Sequence, residues 1–221
     1  MMRRITVFLF CFALAAFGQG KPHERPLREA VRGTRGAVAG GSEWATVAGM
    51  RLYYQGGNAV DAGLAAMFAA SVSEFSHFGF GGEAPILIRT KAGKVYAVAG
   101  VGTMPKLATA EMFRTRALKP FEVMQIDPGG IKGIIPVAGI MPALVPGMVD
   151  AGLVALKNFG TKSFAEVAES AVELTEGLAI DSMRSGSIAR SRRFLDVWPD
   201  SKRHFMPDGH IPLPGQIFRQ P

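Results

Sequence analysis

The chain has 221 residues, a formal net charge of +7 and a single cysteine, Cys11. Aliphatic residues and phenylalanine are plentiful enough for a chain of this length to bury a core, which argues against a disordered protein. The basic residues are dispersed and not interleaved with aromatics, which argues against a protein that binds nucleic acid or an anionic membrane. We predict that the densest basic cluster is a solvated helix face, formed by Arg190, Arg192, Arg193, Lys202 and Arg203.

The amino terminus has the pattern of a secretory signal peptide. Arg3 and Arg4 precede an apolar run from Ile5 to Phe17, and Gly18 completes small-residue cleavage spacing. The run is shorter than the roughly 17 residues that a membrane span needs, so a signal peptide is favoured over an uncleaved anchor. We predict a signal peptide at 1–18, a linker at 19–33 and a folded region at 34–221, in a secreted or periplasmic protein without a stable membrane anchor. Cleavage would remove Cys11 and leave no disulfide or thiol chemistry.

Two helices with clear ends are predicted next, after a short strand at 37–39. Ser42 is a favourable N-cap for a helix that runs to about Gln55, where two glycines stop it. Asn58 caps the following helix, and Asp61 stands at its third position, where a carboxylate accepts bonds from free amides. Residues 62–72 are almost all apolar, so we expect this second helix to be buried on all sides.

A β-hairpin is predicted for residues 84–90 and 95–100, which flank a turn at 91–94. Apolar residues occupy consecutive positions in both runs, so we expect both faces of the sheet to be covered. This pattern predicts an α/β fold, built as a layered α+β sandwich.

The remainder of the chain is predicted to contain loops and four further helices. Six prolines between 101 and 146 favour loops, with a strand near 134–140. Ser163 and Glu166 form a capping box. The predicted helices span 108–113, 147–159, 163–177 and 184–198.

No complete catalytic or ligand motif is present. Gly79-Phe80-Gly81 follows a helix and precedes a strand, the reverse of the order in a dinucleotide site, so a tight turn or the wall of a cleft is favoured. The histidines lack metal-ligand spacing, and only His77 lies beside this glycine loop. We expect no cofactor and no metal site, and a structural role for His77.

Several segments, in order, resemble the large subunit of gamma-glutamyltransferases. The run from Tyr53 to Ala62, the apolar helix after it and the sequence His77-Phe78-Gly79-Phe80-Gly81-Gly82 resemble the opening of that subunit. Val145-Pro146-Gly147 and the segments at 159–177 and 205–221 resemble later parts of it. The resemblance implies part of the αββα fold of N-terminal-nucleophile hydrolases, incomplete without a downstream small subunit.

The resemblance also implies a mechanism. Members of this family are zymogens that cut themselves and expose a threonine, whose own amine activates its hydroxyl. The resemblance places that threonine downstream, so we expect no catalytic residue in this chain, which would then be a truncated product or a fragment of a longer precursor. The implied partners are the catalytic small subunit and a small-molecule amide or peptide substrate, as in glutathione metabolism.

One departure from the family pattern affects substrate binding. The family motif Gly-Arg-Glu-Thr-Ala-Pro carries an arginine that holds the α-carboxylate of the γ-glutamyl group, whereas this chain has Val101, Gly102 and Thr103 after Gly100. A lost charge-assisted hydrogen bond is worth about 1.5–3 kcal/mol, or roughly tenfold to a hundredfold in affinity. We therefore expect ordinary γ-glutamyl substrates to bind poorly unless another cation, such as Arg89 or Lys106, reaches the pocket.

The sequence leaves three functions open. The first is the amino-terminal part of an exported gamma-glutamyltransferase-like amidohydrolase, inactive as an isolated chain. The second is a non-catalytic relative that acts as a binding or assembly protein, and the presence of a downstream nucleophilic threonine separates these two. The third is a basic protein that binds nucleic acid or an anionic membrane, which predicts strongly salt-dependent retention on heparin.

Overall fold

The computed structural model describes residues 30–115, 124–126, 132–136 and 139–220. The predicted signal peptide at 1–18 and most of the predicted linker lie outside these residues. Residues from Gly36 onward form one compact unit. Residues 30–35 belong to a separate unit, and these six residues contain no helix or strand. Within the described part of the chain, no helix is long and apolar enough to cross a membrane.

The fold mixes helices with short antiparallel strand pairs. The helices are α1 Glu43–Tyr54, α2 Ala59–Ser73, α3 Met112–Thr115, α4 Met148–Phe159, α5 Phe164–Thr175, α6 Ser182–Leu195 and α7 Pro199–Phe205. The strands are β1 Ile86–Arg89, β2 Val95–Val98, β3 Met124–Ile126, β4 Lys132–Pro136, β5 Leu178–Ala179 and β6 Ile217–Phe218. They pair as β1 with β2, β3 with β4 and β5 with β6.

Three predicted helix starts are confirmed, together with their caps. Ser42 accepts a hydrogen bond from the Ala45 N–H at the start of α1. Asn58 and Asp61 form a capping box at the start of α2, and Ser163 and Glu166 form another at the start of α5. These caps satisfy amide groups that a helix leaves free in its first turn.

Helix α2 is the centre of the main core. Its side chains pack with apolar residues of α1, α4 and α5 and with the inner face of the β1–β2 hairpin. Phe68 and Ala65 of α2 are fully buried, but Ala59 and Gly63 are exposed. The expectation that this helix would be buried on all sides is therefore wrong along this one stripe of the described chain.

The β1–β2 hairpin is confirmed, but the expectation that both of its faces are covered is wrong for the described residues. Ile86 and Ile88 face the core, opposite Val98 and Tyr96 in the antiparallel register. Leu87, on the other face, is 77% exposed. The consecutive apolar residues thus predicted the strand correctly, but no second layer covers its outer face in the described chain.

Three local predictions differ from the structure. Residues 37–39 form no strand: Val38 packs against Gly49 of α1 and contributes to the main core instead of pairing with a strand. The helix predicted at 108–113 begins at Met112, and the strand predicted at 134–140 is β4, which ends at Pro136. Helix α7 and the β5–β6 pair were not predicted.

A second, smaller core closes the carboxy-terminal end of the described chain. It consists of Ile180, Ile188, Met206 and Phe218, with Phe75 and Phe205 packed against it. His204 is half-buried beside Phe205 and Phe218. The β5–β6 pair anchors Phe218 by the register Leu178 to Phe218.

Candidate functional site

The Val101 segment lies where three loops meet. We define the three-loop cluster as residues 79–84, 100–103 and 144–148. The Ala84 N–H donates to the Gly100 carbonyl at 2.9 Å, and the Val145 N–H donates to the Thr103 carbonyl at 2.9 Å. The Gly147 and Met148 N–H groups both donate to the Gly82 carbonyl, at 3.3 and 3.2 Å. Each loop is therefore held by backbone hydrogen bonds to another.

Glycines allow the three loops to approach one another closely. Gly100 has a φ of +48°, in the left-handed region that favours glycine, and a Cβ there would overlap the Ala84 carbonyl. A Cβ at Gly102 would lie 2.8 Å from the Val145 carbonyl oxygen. At Gly147, a Cβ would lie 2.7 Å from the Gly100 carbonyl oxygen. The backbone contacts between the loops depend on these three residues.

The structure brings all three candidate substrate-binding residues to this cluster. Val101 is 52% exposed and Thr103 is exposed, while Gly102 is half-buried between them. Thr103 pairs with Val145 through an isolated antiparallel bridge. The bridge uses the backbone of Thr103, so the side chains of both Val101 and Thr103 are open to contact a ligand.

Arg89, one of the two cations suggested by the sequence, does not lie beside Val101. The Arg89 guanidinium lies over the hairpin turn, 3.8 Å from the position of a Cβ at Gly93, at the opposite end of β1 from Gly100. Lys106 is exposed and forms no ion pair within the described residues. Arg89 therefore does not replace the arginine that the family motif carries.

Glu83 is a member of the cluster that sequence reasoning missed. Its Oε1 accepts a hydrogen bond from the Gly102 N–H at 3.0 Å. The contact joins residues 19 positions apart. A carboxylate directly after a glycine turn was the available signal, but the sequence does not show which backbone amide it meets.

The glycine loop itself is a turn and not a ligand cradle. Gly82 N–H donates to the Gly79 carbonyl at 2.9 Å, which closes the turn between α2 and β1. Phe80 stacks against Phe68, with ring centroids 6.0 Å apart. His77 is exposed and its Nδ1 shares a hydrogen bond with the Ser76 hydroxyl.

The Asn58–Asp61 motif forms a second polar site, which is buried. We call it the Asp61 hub. Asp61 is 0% exposed, and its carboxylate accepts bonds from the backbone N–H groups of Asn58, Thr161 and Lys162 and from the Thr161 hydroxyl. Asn58 Nδ2 donates to the Phe159 carbonyl at 2.7 Å. The hub therefore ties the start of α2 to the α4–α5 connection.

The pKa of Asp61 reflects two opposing effects. Burial by itself raises the pKa of this carboxyl group, because it disfavours the charged form. The hydrogen bonds from the Thr161 hydroxyl and from the three backbone amides outweigh burial and lower the pKa below its ordinary value. All of these donors belong to the fold, so Asp61 has a structural role and not the unpaired geometry of a general base.

The family profile described as Gamma-glutamyltranspeptidase matches residues 45–221, which include both the hub and the three-loop cluster. The chain belongs to the gamma-glutamyltranspeptidase family.

The chain is similar to three proteins that show its relation to this family. It is 31% identical to the Acylase ACY 1 proenzyme of a Pseudomonas species over 85% of this chain and 33% of that protein. It is 30% identical to the glutathione hydrolase-like YwrD proenzyme of Bacillus subtilis over 88% of this chain and 34% of that protein. The structure matches Helicobacter pylori gamma-glutamyltranspeptidase with a TM-score of 0.75 and 26% identity, over 87% of this chain and 52% of that one.

The chain spans about a third of the length of the curated relatives it matches. Both of those relatives are named as proenzymes, but one is an acylase and the other is glutathione hydrolase-like. Relatives with similar identity to this chain therefore carry the names of different activities.

The basic cluster near the carboxy terminus is a solvated face, as predicted. Arg190 and Arg193 are exposed on α6. Their neighbours form ion pairs with nearby carboxylates: Arg192 and Lys202 with Asp196, and Arg203 with Asp200. These pairs neutralise much of the local charge, which does not favour a binding surface for a polyanion.

Proposed function

We propose that this sequence is the amino-terminal part of an exported N-terminal-nucleophile amidohydrolase precursor, and that its acyl donor is not an ordinary γ-glutamyl group. Membership of the gamma-glutamyltranspeptidase family supports the reaction class. The observation that carries the substrate proposal is Val101, half-exposed in the three-loop cluster at the position where the family motif has its arginine.

The proposed reaction is acyl transfer from an amide to a threonine hydroxyl supplied by a catalytic small subunit of the same precursor. The amine of that threonine serves as the base, so no histidine or metal is required from this part of the protein. The proposed role of Val101, Gly102 and Thr103 is to form one wall of the acyl pocket. This chain would then contribute specificity, and the small subunit the nucleophile.

The open surfaces of the fold are consistent with a larger αββα sandwich. The exposed face of the β1–β2 hairpin, which carries Leu87, and the open stripe at Ala59 and Gly63 of α2 are apolar or small. Large exposed apolar residues are unfavourable in water unless another layer covers them. We propose that further strands and helices of the precursor form that layer.

The proposed domain organisation includes export. Residues 1–18 act as a signal peptide, 19–33 as a linker and 34–221 as part of the enzyme domain. The protein would be secreted or periplasmic after cleavage.

The processing proposal is tested by an intact mass on the product of the whole reading frame, purified from periplasm or medium. We expect two chains, the smaller of which begins with threonine and the larger of which lacks residues 1–18. A single chain without threonine at a new amino terminus would reject the amidohydrolase and favour a non-catalytic binding or assembly protein.

The substrate proposal is tested by Val101→Arg in the same full-length protein. Restoring a cation in this cluster should lower KM for a γ-glutamyl p-nitroanilide by about tenfold or more, because a charge-assisted hydrogen bond to the α-carboxylate is regained. Steady-state kinetics of wild type and variant measure the change.

Val172→Arg is a matched control for that variant. Val172 is 60% exposed on α5, so the substitution adds the same charge at similar exposure away from the three-loop cluster. If wild type already hydrolyses γ-glutamyl substrates efficiently, or if both arginine variants improve KM equally, Val101 does not control donor choice.

A further inference from the structure

Resting on the proposed function, we infer that Glu83 sets the charge preference of the acyl pocket. The pocket would select an acyl group that ends in an ammonium over one of the same length that ends in a carboxylate, with an uncharged acyl group between them. Glu83 would thereby be a specificity-determining residue, and the site would have the opposite charge from one that holds a γ-glutamyl α-carboxylate through arginine.

The position of Glu83 places a negative charge beside Val101. Its Oε1 lies 3.0 Å from the Gly102 nitrogen, and Gly102 directly follows Val101. A Cβ at Gly102 would lie 3.2 Å from that oxygen, so the carboxylate would have to shift slightly if this residue carried a side chain. The family motif has a glutamate at the position of Gly102. In this chain the carboxylate of Glu83, from the neighbouring loop, contacts the backbone at that position.

The charge of Glu83 is not neutralised in the described chain. None of the lysines, arginines or histidines within the described ranges forms an ion pair with it. One carboxylate oxygen is bonded to the Gly102 N–H, and the residue is exposed, so the second oxygen can accept a bond from a ligand. A cationic head group would find a partner there, while an anionic one would meet a like charge.

The surroundings of Glu83 suit the stem of such a ligand. Val101, Leu144 and Val145 are partly exposed, and Leu144 Cβ lies 2.9 Å from the position of a Gly102 Cβ, on the same side as Glu83. Methylene groups can pack on these side chains while an ammonium reaches the carboxylate. The combination favours a short aliphatic acyl chain with a terminal amine.

The expected size of the preference follows from the charges. The interaction between two unit charges about 5 Å apart at a partly solvated surface changes affinity by about tenfold. An attractive pair and a repulsive pair act in opposite directions, so the ratio between cationic and anionic acyl groups should exceed about tenfold at low salt.

The test compares three p-nitroanilides of equal length, 5-aminopentanoyl, pentanoyl and glutaryl, with the full-length protein and enzyme-free blanks. We expect kcat/KM to fall in that order in wild type. In Glu83→Gln the ratio of 5-aminopentanoyl to glutaryl should fall by about tenfold, mainly through KM. The amide oxygen of glutamine can still accept from the Gly102 N–H, so a merely structural role would leave the ratio unchanged.

Two further measurements separate the possible failures. Glu176→Gln removes the same charge from an exposed residue after α5 and should leave the ratio as in wild type. In wild type, 0.5 M salt should reduce the ratio severalfold, because the screening length is then about 4–5 Å. This measurement does not require any variant to fold.

No turnover of any of the three amides would reject the proposed function together with this inference. Turnover without a charge preference, or an unchanged ratio in Glu83→Gln, would overturn the inference alone.

Discussion

The Asp61 hub and the three-loop cluster both join distant parts of the chain, but their polar groups are in opposite states. Asp61 is fully buried, and its carboxylate oxygens are occupied by donors from the fold. Glu83 is exposed and uses one oxygen for a single backbone amide. A saturated, buried carboxylate stabilises the fold, whereas an exposed carboxylate with a vacant oxygen can meet a ligand.

This difference separates the motif that most clearly marks the family from the residues that we propose to determine specificity. The Gly-Gly-Asn-Ala-Val-Asp-Ala run most clearly relates the chain to its family, yet its polar side chains are committed to joining α2 to the α4–α5 connection. The departure at Val101 occupies an exposed position in the other region. This motif of the resemblance thus has a structural role, while the departure at Val101 lies where we propose that a substrate is contacted.

The largest expected effect is the loss of the hub. Asp61→Asn keeps the shape of the side chain but replaces one acceptor oxygen with a donor that faces other donors. We expect it to lower the free energy of unfolding by about 3 kcal/mol, because charge-assisted hydrogen bonds are lost and buried donors are left unpaired. Urea unfolding monitored by circular dichroism measures the change.

Asp150→Asn is the control for that variant, since Asp150 is exposed in the first turn of α4 and should cost less than about 1 kcal/mol. The pH dependence provides a second check. The folded pKa of Asp61 is lowered, so its contribution is fully present above its unfolded pKa, near 3.9, and is lost as pH falls through the folded value. A gap between wild type and Asp61→Asn that stays constant at strongly acidic pH would contradict this account.

Local signals in the sequence predicted the helix cap at Asn58 and Asp61, but neither the contacts of the hub to residues 159–162 nor the cluster. Capping residues act within three or four positions, so Ser42, Asn58 and Ser163 identified their helices correctly. Proline at the start of α7 was a usable local signal that was missed. The strand predicted around Val38 was wrong because apolar character indicates burial and not a pairing partner.

Contacts between distant segments could not be read in the same way. The β5–β6 pair joins residues about 40 positions apart, and the Glu83 contact to Gly102 depends on the length and register of the hairpin between them. The resemblance pointed to Val101, Gly102 and Thr103 as pocket residues, but only the structure showed which loops surround them. The charge of the cluster, set by Glu83 and by the remote position of Arg89, followed from those contacts.

A smaller loss is expected when the close approach of the loops is prevented. Gly100→Ala forces a side chain into a left-handed backbone and against the Ala84 carbonyl, and should cost about 2 kcal/mol. The same unfolding measurement applies. Gly93→Ala separates the two causes, because Gly93 also has a positive φ, +84°, but its nearest neighbour would be 3.8 Å away. Equal losses in the two variants would mean that backbone strain alone acts and that contact between the loops contributes nothing.

The smallest expected effect has the opposite sign and concerns a glycine that packs against nothing in the described chain. Gly63 lies inside α2, and a Cβ there would meet no atom within 4 Å. In the 221-residue chain, Gly63→Ala should therefore raise the free energy of unfolding by about 0.5–1 kcal/mol, which is the difference in helix propensity between glycine and alanine. The same substitution in the full-length protein sharpens the comparison. If the gain persists there, the stripe at Ala59 and Gly63 stays open. If it becomes a loss, another layer of the protein packs closely on α2, and Gly63 belongs with Gly100 among the glycines that the fold requires.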